Sequence, residues 1–297
     1  MQPQGIIERV WPGRAATWEP LGGGITNHNF KVSVDGSEFV LRIGGKDTAL
    51  LGIDRRAEES ASRMAADLGI GPEVVAFVEP EGYLVTRFIH GEPLPVERIR
   101  SPRWTERVAA AVGRIHAAPP ILGRFDAHRV VERYRDTAGD HGVPAPEGFD
   151  RAQEVARRIE AARGPQARVP CHNDLLNANL LAEGDRVRIV DWEYAGMGDR
   201  FFDLANLSVN HGFEAEQDEA LLSAYFGTFR QADFASLRLL RFMSDLREAM
   251  WGVVQQGISE LDVDFRAYAA EHFERLRATA ADPRFEGWLS TVAEARP

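Results

Sequence analysis

Between Val169 and Tyr194 the chain carries His172-x-Asp174-x-x-x-x-Asn179 and, twelve residues further on, Asp191 in Val-Asp-Trp-Glu-Tyr. A carboxylate, an amide oxygen and a second carboxylate in that order are what phosphoryl transfer from ATP asks of a protein. One carboxylate accepts the proton of the attacking hydroxyl, while the amide oxygen and the second carboxylate hold Mg²⁺ against the phosphates. The spacing gives Asp174 the first role and Asn179 and Asp191 the second. An Ala-Glu-Gly-Asp turn, Ala182 to Asp185, separates two short apolar runs. That turn keeps Asp174 and Asn179 on one loop and sets Asp191 at the end of a β-strand facing it. A lone His-x-Asp would say little. The Asn at the fifth position and the strand-borne Asp-x-Glu-Tyr make the set specific.

Such chemistry needs a phosphate cover and a phosphate-binding cation, and both are expected in the first eighty-eight residues. Leu21-Gly22-Gly23-Gly24-Ile25-Thr26-Asn27 is a glycine-rich turn, whose backbone N–H groups can approach phosphate oxygens without interference from Cβ atoms. Two alternating strands follow, Phe30 to Val34 and Phe39 to Ile43, joined around Asp35-Gly36, a hairpin signal. Arg42 in Val40-Leu41-Arg42-Ile43 supplies the cation at the place where protein kinases put a lysine, and a guanidinium can bridge two phosphates by bidentate hydrogen bonds. Asp54 through Leu68 reads as a helix with Asp54 as N-cap and Gly69 to Pro72 as the stop. Glu58, at the edge of its apolar stripe, is the expected ion-pair partner of Arg42, in preference to Glu59 one helical step away. Strands around Val74 to Val78 and Tyr83 to Phe88 complete a small sheet-rich lobe, 1–88. Ile89 to Pro93 reads as the hinge to a larger helical lobe, 89–297. There Trp104 to His116, Arg151 to Arg163, Asp203 to Val209, Glu216 to Phe229, Leu237 to Gln256 and Phe265 to Ala280 have helical character. Residues 123–149, rich in Gly, Pro and Asp, read as a surface connection with one short helix.

The bulk of the chain sets limits. With 44% apolar and 27% charged residues, 297 residues make ordinary globular material with enough length for two lobes. A net charge of −10 disfavours nucleic acid and anionic membranes as partners and would draw in a cation. Cys171 stands alone, which excludes an intrachain disulfide framework and a multi-cysteine metal site and suits a reducing, cytoplasmic setting; its simplest role is a small buried strand residue beside the catalytic loop. The N-terminus lacks the apolar core of a signal peptide, and no run approaches the ~18 apolar residues of a membrane span.

Leu-Gly-Gly-Gly-Ile-Thr-Asn (21–27), Val-Leu-Arg-Ile (40–43), His-Asn-Asp-Leu-Leu-Asn-Ala-Asn (172–179) and Asp-Trp-Glu-Tyr-Ala-Gly (191–196) resemble the bacterial branch of the choline/ethanolamine kinase family. So do Phe-Asp-Leu-Ala-Asn (202–206) and Met-Trp-Gly-Val-Val-Gln (250–255). The resemblance runs in order from Leu21 to Tyr268. It implies an α+β, two-lobed protein-kinase-like fold within the aminoglycoside-phosphotransferase-like group, with ATP and Mg²⁺ as cofactors. Gly22, Gly23, Gly24, Thr26 and Asn27 would then cover the nucleotide, with Arg42 and Glu58 beneath them. It further implies a small cationic alcohol as substrate, choline or ethanolamine first, with thiamine or an aminoglycoside as rivals and a catalytically inactive binding protein as the outlier. A quaternary ammonium cannot be hydrogen-bonded and is recognised by aromatic faces. Carried over position by position, those faces are Tyr194, Trp251 and Tyr268. His172, Asp203 and Asn206 would support the catalytic loop. Departures fall at Glu248, where eukaryotic members have a second Trp, and at Asn210, near where they place an acidic substrate contact. Glu248 could attract a cation or sit in solvent as an ordinary helix residue. Absence of Asp-Phe-Gly and Ala-Pro-Glu speaks against a protein kinase.

Overall fold

The computed structural model describes residues 3–22 and 27–296. Helix α1 (Pro3–Val10) leads into strands β1 (Ala16–Leu21), β2 (Asn27–Val34) and β3 (Ser37–Gly44), helix α2 (Arg55–Asp67), and strands β4 (Val74–Val78) and β5 (Tyr83–Arg87). The five strands form one antiparallel sheet in the order β1-β2-β3-β5-β4. Asp35 and Gly36 both have positive φ, the backbone a two-residue hairpin demands, and they set the β2–β3 register that pairs Asn29 with Arg42. Alternation along β3 buries Phe39, Leu41 and Ile43 on one face, where Ile6 and Ile7 of α1 pack with Val32 and Val85. The other face therefore presents Val40 and Arg42 to the cleft below.

The rest is mostly helical. A short strand β6 (Glu92–Pro93) and helices α3 (Val96–Ile99), α4 (Pro102–His116), α5 (Ala127–Asp140) and α6 (Phe149–Arg163) precede strands β7 (Arg168–Cys171), β8 (Leu180–Glu183), β9 (Arg186–Ile189) and β10 (Gly196–Asp199). Helices α7 (Arg200–Asn210), α8 (Ala215–Phe226), α9 (Gln231–Ile258), α10 (Phe265–Ala280) and α11 (Phe285–Glu294) complete the chain. The 28-residue α9 is buried around much of its circumference and packs against α10, α5, α7 and α11, as expected of a helix that is apolar on more than one face. Among the described residues no helix is long and apolar enough to cross a membrane.

One expectation is corrected, and one of the two readings of Glu248 is removed. The 123–149 segment is no surface connection: α5 is 14 residues long, buries Val130, Val131, Tyr134 and Ala138, and packs on α9. Its apolar stripe is narrow and interrupted by Arg and Glu, which hid its period. Glu248 is not a solvent-facing helix residue either, for it is buried. Helices α1 and α11 and strand β1 were not foreseen.

Candidate active site

Two loops build the site. β7 pairs antiparallel with β10, and β8 pairs with β9, so the 172–179 loop leaving β7 lies beside the 190–195 loop between β9 and β10. Buried Asp203, in the first turn of α7, fixes the first loop by accepting the backbone N–H of His172 (2.8 Å) and of Asn173 (2.6 Å), and it also meets His116 Nε2 at 3.0 Å. Asn206, one turn along α7, accepts the N–H of Leu175 at 2.6 Å. The two loops are tied to each other by His172, whose Nε2 meets Val190 O at 3.0 Å while its Nδ1 accepts the Asp174 N–H at 3.2 Å. That pattern fixes the tautomer and makes His172 a strut rather than a base. Burial lowers the His172 pKa and so favours the neutral ring.

Asp174 and Asn179 meet within the loop: Asn179 Nδ2 donates to Asp174 O (2.9 Å) and to Asp174 Oδ2 (3.2 Å), which leaves the amide oxygen of Asn179 as a free-standing acceptor. Asp191 sits at φ 67°, a left-handed conformation Asp tolerates better than most residues. Its Oδ1 accepts from Arg42 Nη1 at 2.7 Å, and the same nitrogen reaches Glu58 Oε1 at 2.8 Å. Glu58 is therefore the partner of Arg42, whereas Glu59 pairs with Arg63 on the surface. Burial works against the Arg42 charge, but Asp191, Glu58 and Glu193 outweigh it and raise its pKa. Arg42, Glu58 and Asp191 line a cleft of ≈ 330 Å³ with Leu21, Gly22, Val40 and Leu84 above and Leu181 and Trp192 below. Of the expected glycine-rich cover, Gly22 lines this cleft; Gly23, Gly24 and Thr26 lie outside the described residues.

Asn27 is placed differently from expectation. It is buried and donates to Glu193 Oε2 at 2.8 Å, while its Oδ1 accepts from Arg55 Nη2 at 3.0 Å. Arg55 also pairs with Glu58 at 2.7 Å and approaches Glu193 at 3.4 Å. Asn27, Arg55 and Glu193 thus join the sheet to the 190–195 loop. Burial, with Asp191 adding, pushes the Glu193 carboxyl up to about 7 against the pull of Arg42. Sequence reasoning gave Arg55 and Glu193 no role. The one signal was their adjacency to Asp54 and to Trp192-Tyr194.

Tyr194, Trp251 and Tyr268 are brought together. Trp251 Nε1 donates to Tyr194 OH at 3.0 Å, and the Trp251 and Tyr268 rings meet edge to face with centroids 5.5 Å apart. Tyr268 OH donates to Glu248 Oε2 at 2.9 Å. Among these groups lies an unforeseen one, the buried guanidinium of Arg247. It sits 4.3 Å from the Tyr194 ring centroid, pairs with Glu248, and reaches Asp174 Oδ1 at 3.4 Å. Burial drives the Asp174 carboxyl up to about 8; Arg247 pulls the other way, and Glu248, Asp191 and Glu193 add to the rise. Asn210 ends α7 next to His211, and its buried Nδ2 has no hydrogen-bond partner among the described residues.

A model of the phosphotransferase enzyme family matches residues 17–240. A choline/ethanolamine kinase family protein of Mesorhizobium loti, solved by crystallography, is 33% identical with a TM-score of 0.82, over 96% of this chain and 95% of that one. Choline kinase LicA of Streptococcus pneumoniae is 22% identical with a TM-score of 0.79, over 94% and 98%, and shares the fold. Ethanolamine kinase 2 of Mus musculus is 26% identical over 89% of this chain and 76% of its own length.

Proposed function

Because the chain belongs to the phosphotransferase enzyme family, and within it to the choline/ethanolamine kinases, we propose that it transfers the γ-phosphoryl group of ATP to the hydroxyl of a small alcohol bearing a positive nitrogen, choline or ethanolamine first. The observation that carries this reading is one chain of contacts, from Glu58 through Arg42 to Asp191 in the cleft and, through the Val190 N–H bond to Asn179 O, on to Asn179 and Asp174 in the adjoining loop. The nucleotide would lie between 1–88 and 89–297, in the cleft that Gly22 lines. Its adenine end runs toward Phe88, Ile89 and Gly91 of the hinge.

Asp174 orients the acceptor hydroxyl and takes its proton. A base whose pKa is raised toward neutrality is better matched to an alcohol than an ordinary carboxylate. Arg42, held by Glu58, neutralises phosphate charge without proton exchange. Asn179 and Asp191 offer oxygen ligands with no sulfur or imidazole among them, the donor set of a hard cation, so they fit Mg²⁺. Bound there, Mg²⁺ supplies charge neutralisation along the phosphates. Tyr194, Trp251 and Tyr268 with Glu248 form an aromatic and acidic surface suited to a cationic nitrogen. The test is ADP release over choline, ethanolamine, thiamine and an aminoglycoside. Turnover of choline or ethanolamine is the expected result. Turnover of thiamine or the aminoglycoside alone would keep the phosphotransfer and overturn the acceptor.

A further inference from the structure

We propose that Arg247 is a resident cation of the acceptor site, one that the incoming alcohol must displace, and that the Glu248 carboxylate it vacates favours ammonium alcohols retaining an N–H over fully alkylated ones. This rests on the cationic-alcohol reading above and deepens it. Arg247 lies one helical turn before Trp251 on α9, so the two side chains share a face. Its guanidinium covers the Tyr194 ring at 4.3 Å, within cation–π range. The same group is paired with Glu248 and stands 3.4 Å from Asp174 Oδ1. Asp174 Oδ2 accepts from Asn179. One aromatic face, the carboxylate and the base of the expected acceptor site are thus in contact with the same guanidinium.

An acceptor hydroxyl must come within roughly 2.6–3.2 Å of its base. One Asp174 oxygen lies beside Arg247 and the other accepts from Asn179, and an acceptor whose nitrogen sits between the Tyr194 ring and Glu248 must take the place of the Arg247 guanidinium. The structure equips Arg247 to move aside. Its Nε and Nη2 are buried with no hydrogen-bond partner, although a guanidinium serving as a strut would use its donors. A buried ion with idle donors is held less firmly than one fully bonded.

Displacement has a chemical consequence at Glu248. Its carboxylate is buried and accepts from Tyr268 OH at 2.9 Å as well as from Arg247. When Arg247 leaves, a primary ammonium can replace both the charge and the N–H···O bond. A quaternary ammonium brings the charge only, with methyl groups at the contact, and leaves the carboxylate short of a donor. The Tyr194 face accepts either cation, so it does not discriminate.

Steady-state kinetics on wild type, Arg247→Met and Arg247→Lys will test this, with the KM for ATP as the check on folding. Wild type should favour ethanolamine over choline by about tenfold in kcat/KM, the worth of one charge-assisted hydrogen bond. In Arg247→Met the KM for both alcohols should fall by about tenfold, with the preference set by Glu248 retained, while the KM for ATP stays within about twofold. Lys should raise both KM values back toward wild type, because a cation again has to be displaced. Sub-denaturing guanidinium chloride should compete with the alcohol in the Met variant but not in wild type at matched ionic strength. A wild-type preference for choline, or a Met variant with raised KM for both alcohols, or one that loses kcat at constant KM, would overturn the proposal while leaving the acceptor class standing. Wild type that turns over no ammonium alcohol would remove the acceptor class itself and the proposal with it.

Discussion

Asp174 carries a charge that burial disfavours, its carboxyl standing at about 8 against an ordinary 3.8. Stability is fully present below the unfolded value and is lost as pH rises through the folded one, because ionisation is harder in the fold than in the open chain. Asp174→Asn removes that loss. Thermal melting should therefore show the Asn variant more stable than wild type at pH 8, by roughly 2–4 °C for each 1 kcal/mol recovered, with the gain shrinking toward pH 5. The same variant should have no measurable turnover yet bind ATP, since the carboxylate acts on the acceptor. Asp191→Ala should do the reverse at the nucleotide, losing Mg²⁺-dependent ATP binding in a titration run with and without the ion. If Asp191→Ala bound nucleotide as wild type does in the presence of Mg²⁺, its placement as a metal ligand would fail.

At the level of elements, the site depends on how α2 enters and how closely α9 and α10 approach. Asp54 accepts the N–H groups of Arg56 (2.8 Å) and Ala57 (3.2 Å), capping the helix that delivers Glu58 to Arg42. Asp54→Ala should cost about 1 kcal/mol and should weaken ATP binding along with stability, because the cap and the ion pair sit on the same turn. Gly252 lets α10 lie close: a Cβ there would come 2.9 Å from Tyr268 Cδ1. Alanine is the better helix former by about 1 kcal/mol, yet Gly252→Ala should push the Tyr268 ring off Trp251 and Glu248. The expected readout is a several-fold higher KM for the alcohol with the KM for ATP unchanged. An unchanged alcohol KM would place the acceptor elsewhere.

Across the whole molecule, a net charge of −10 creates a field that favours cations. Raising ionic strength from about 0.01 M to 0.15 M shortens the screening length from roughly 30 to 8 Å. The kcat/KM for a cationic alcohol should fall over that range, whereas a neutral analogue with carbon in place of nitrogen should be a poor substrate with little salt dependence. Sheet and helices are joined at the site by Arg42–Asp191, Asn27–Glu193 and Arg55–Glu193. The nucleotide cleft and the clamp across it therefore share residues.

The sequence by itself determined the parts that are local. Asp174 and Asn179 stand five positions apart in one loop, the Asp35-Gly36 hairpin fixes where Arg42 points, and the cap and stripe of α2 place Glu58. Each is a matter of turn chemistry or helical period, which neighbouring residues dictate. Tertiary structure decided the rest. Arg247 meets Asp174 from 73 positions away, and Arg55 meets Glu193 from 138. No period or spacing encodes such pairs, because they exist only once α9 and the 190–195 loop have been packed against their neighbours. The same holds for α5, whose charged composition conceals a narrow stripe, and for α1, whose Ile6 and Ile7 acquire meaning only when the sheet offers a face to cover. Placement of Asp174, Asn179 and Asp191 on adjoining loops was legible in the order of the chain. Occupation of the aromatic site by a guanidinium was not, since an arginine on a helix reads as solvated until burial gives it carboxylates to face.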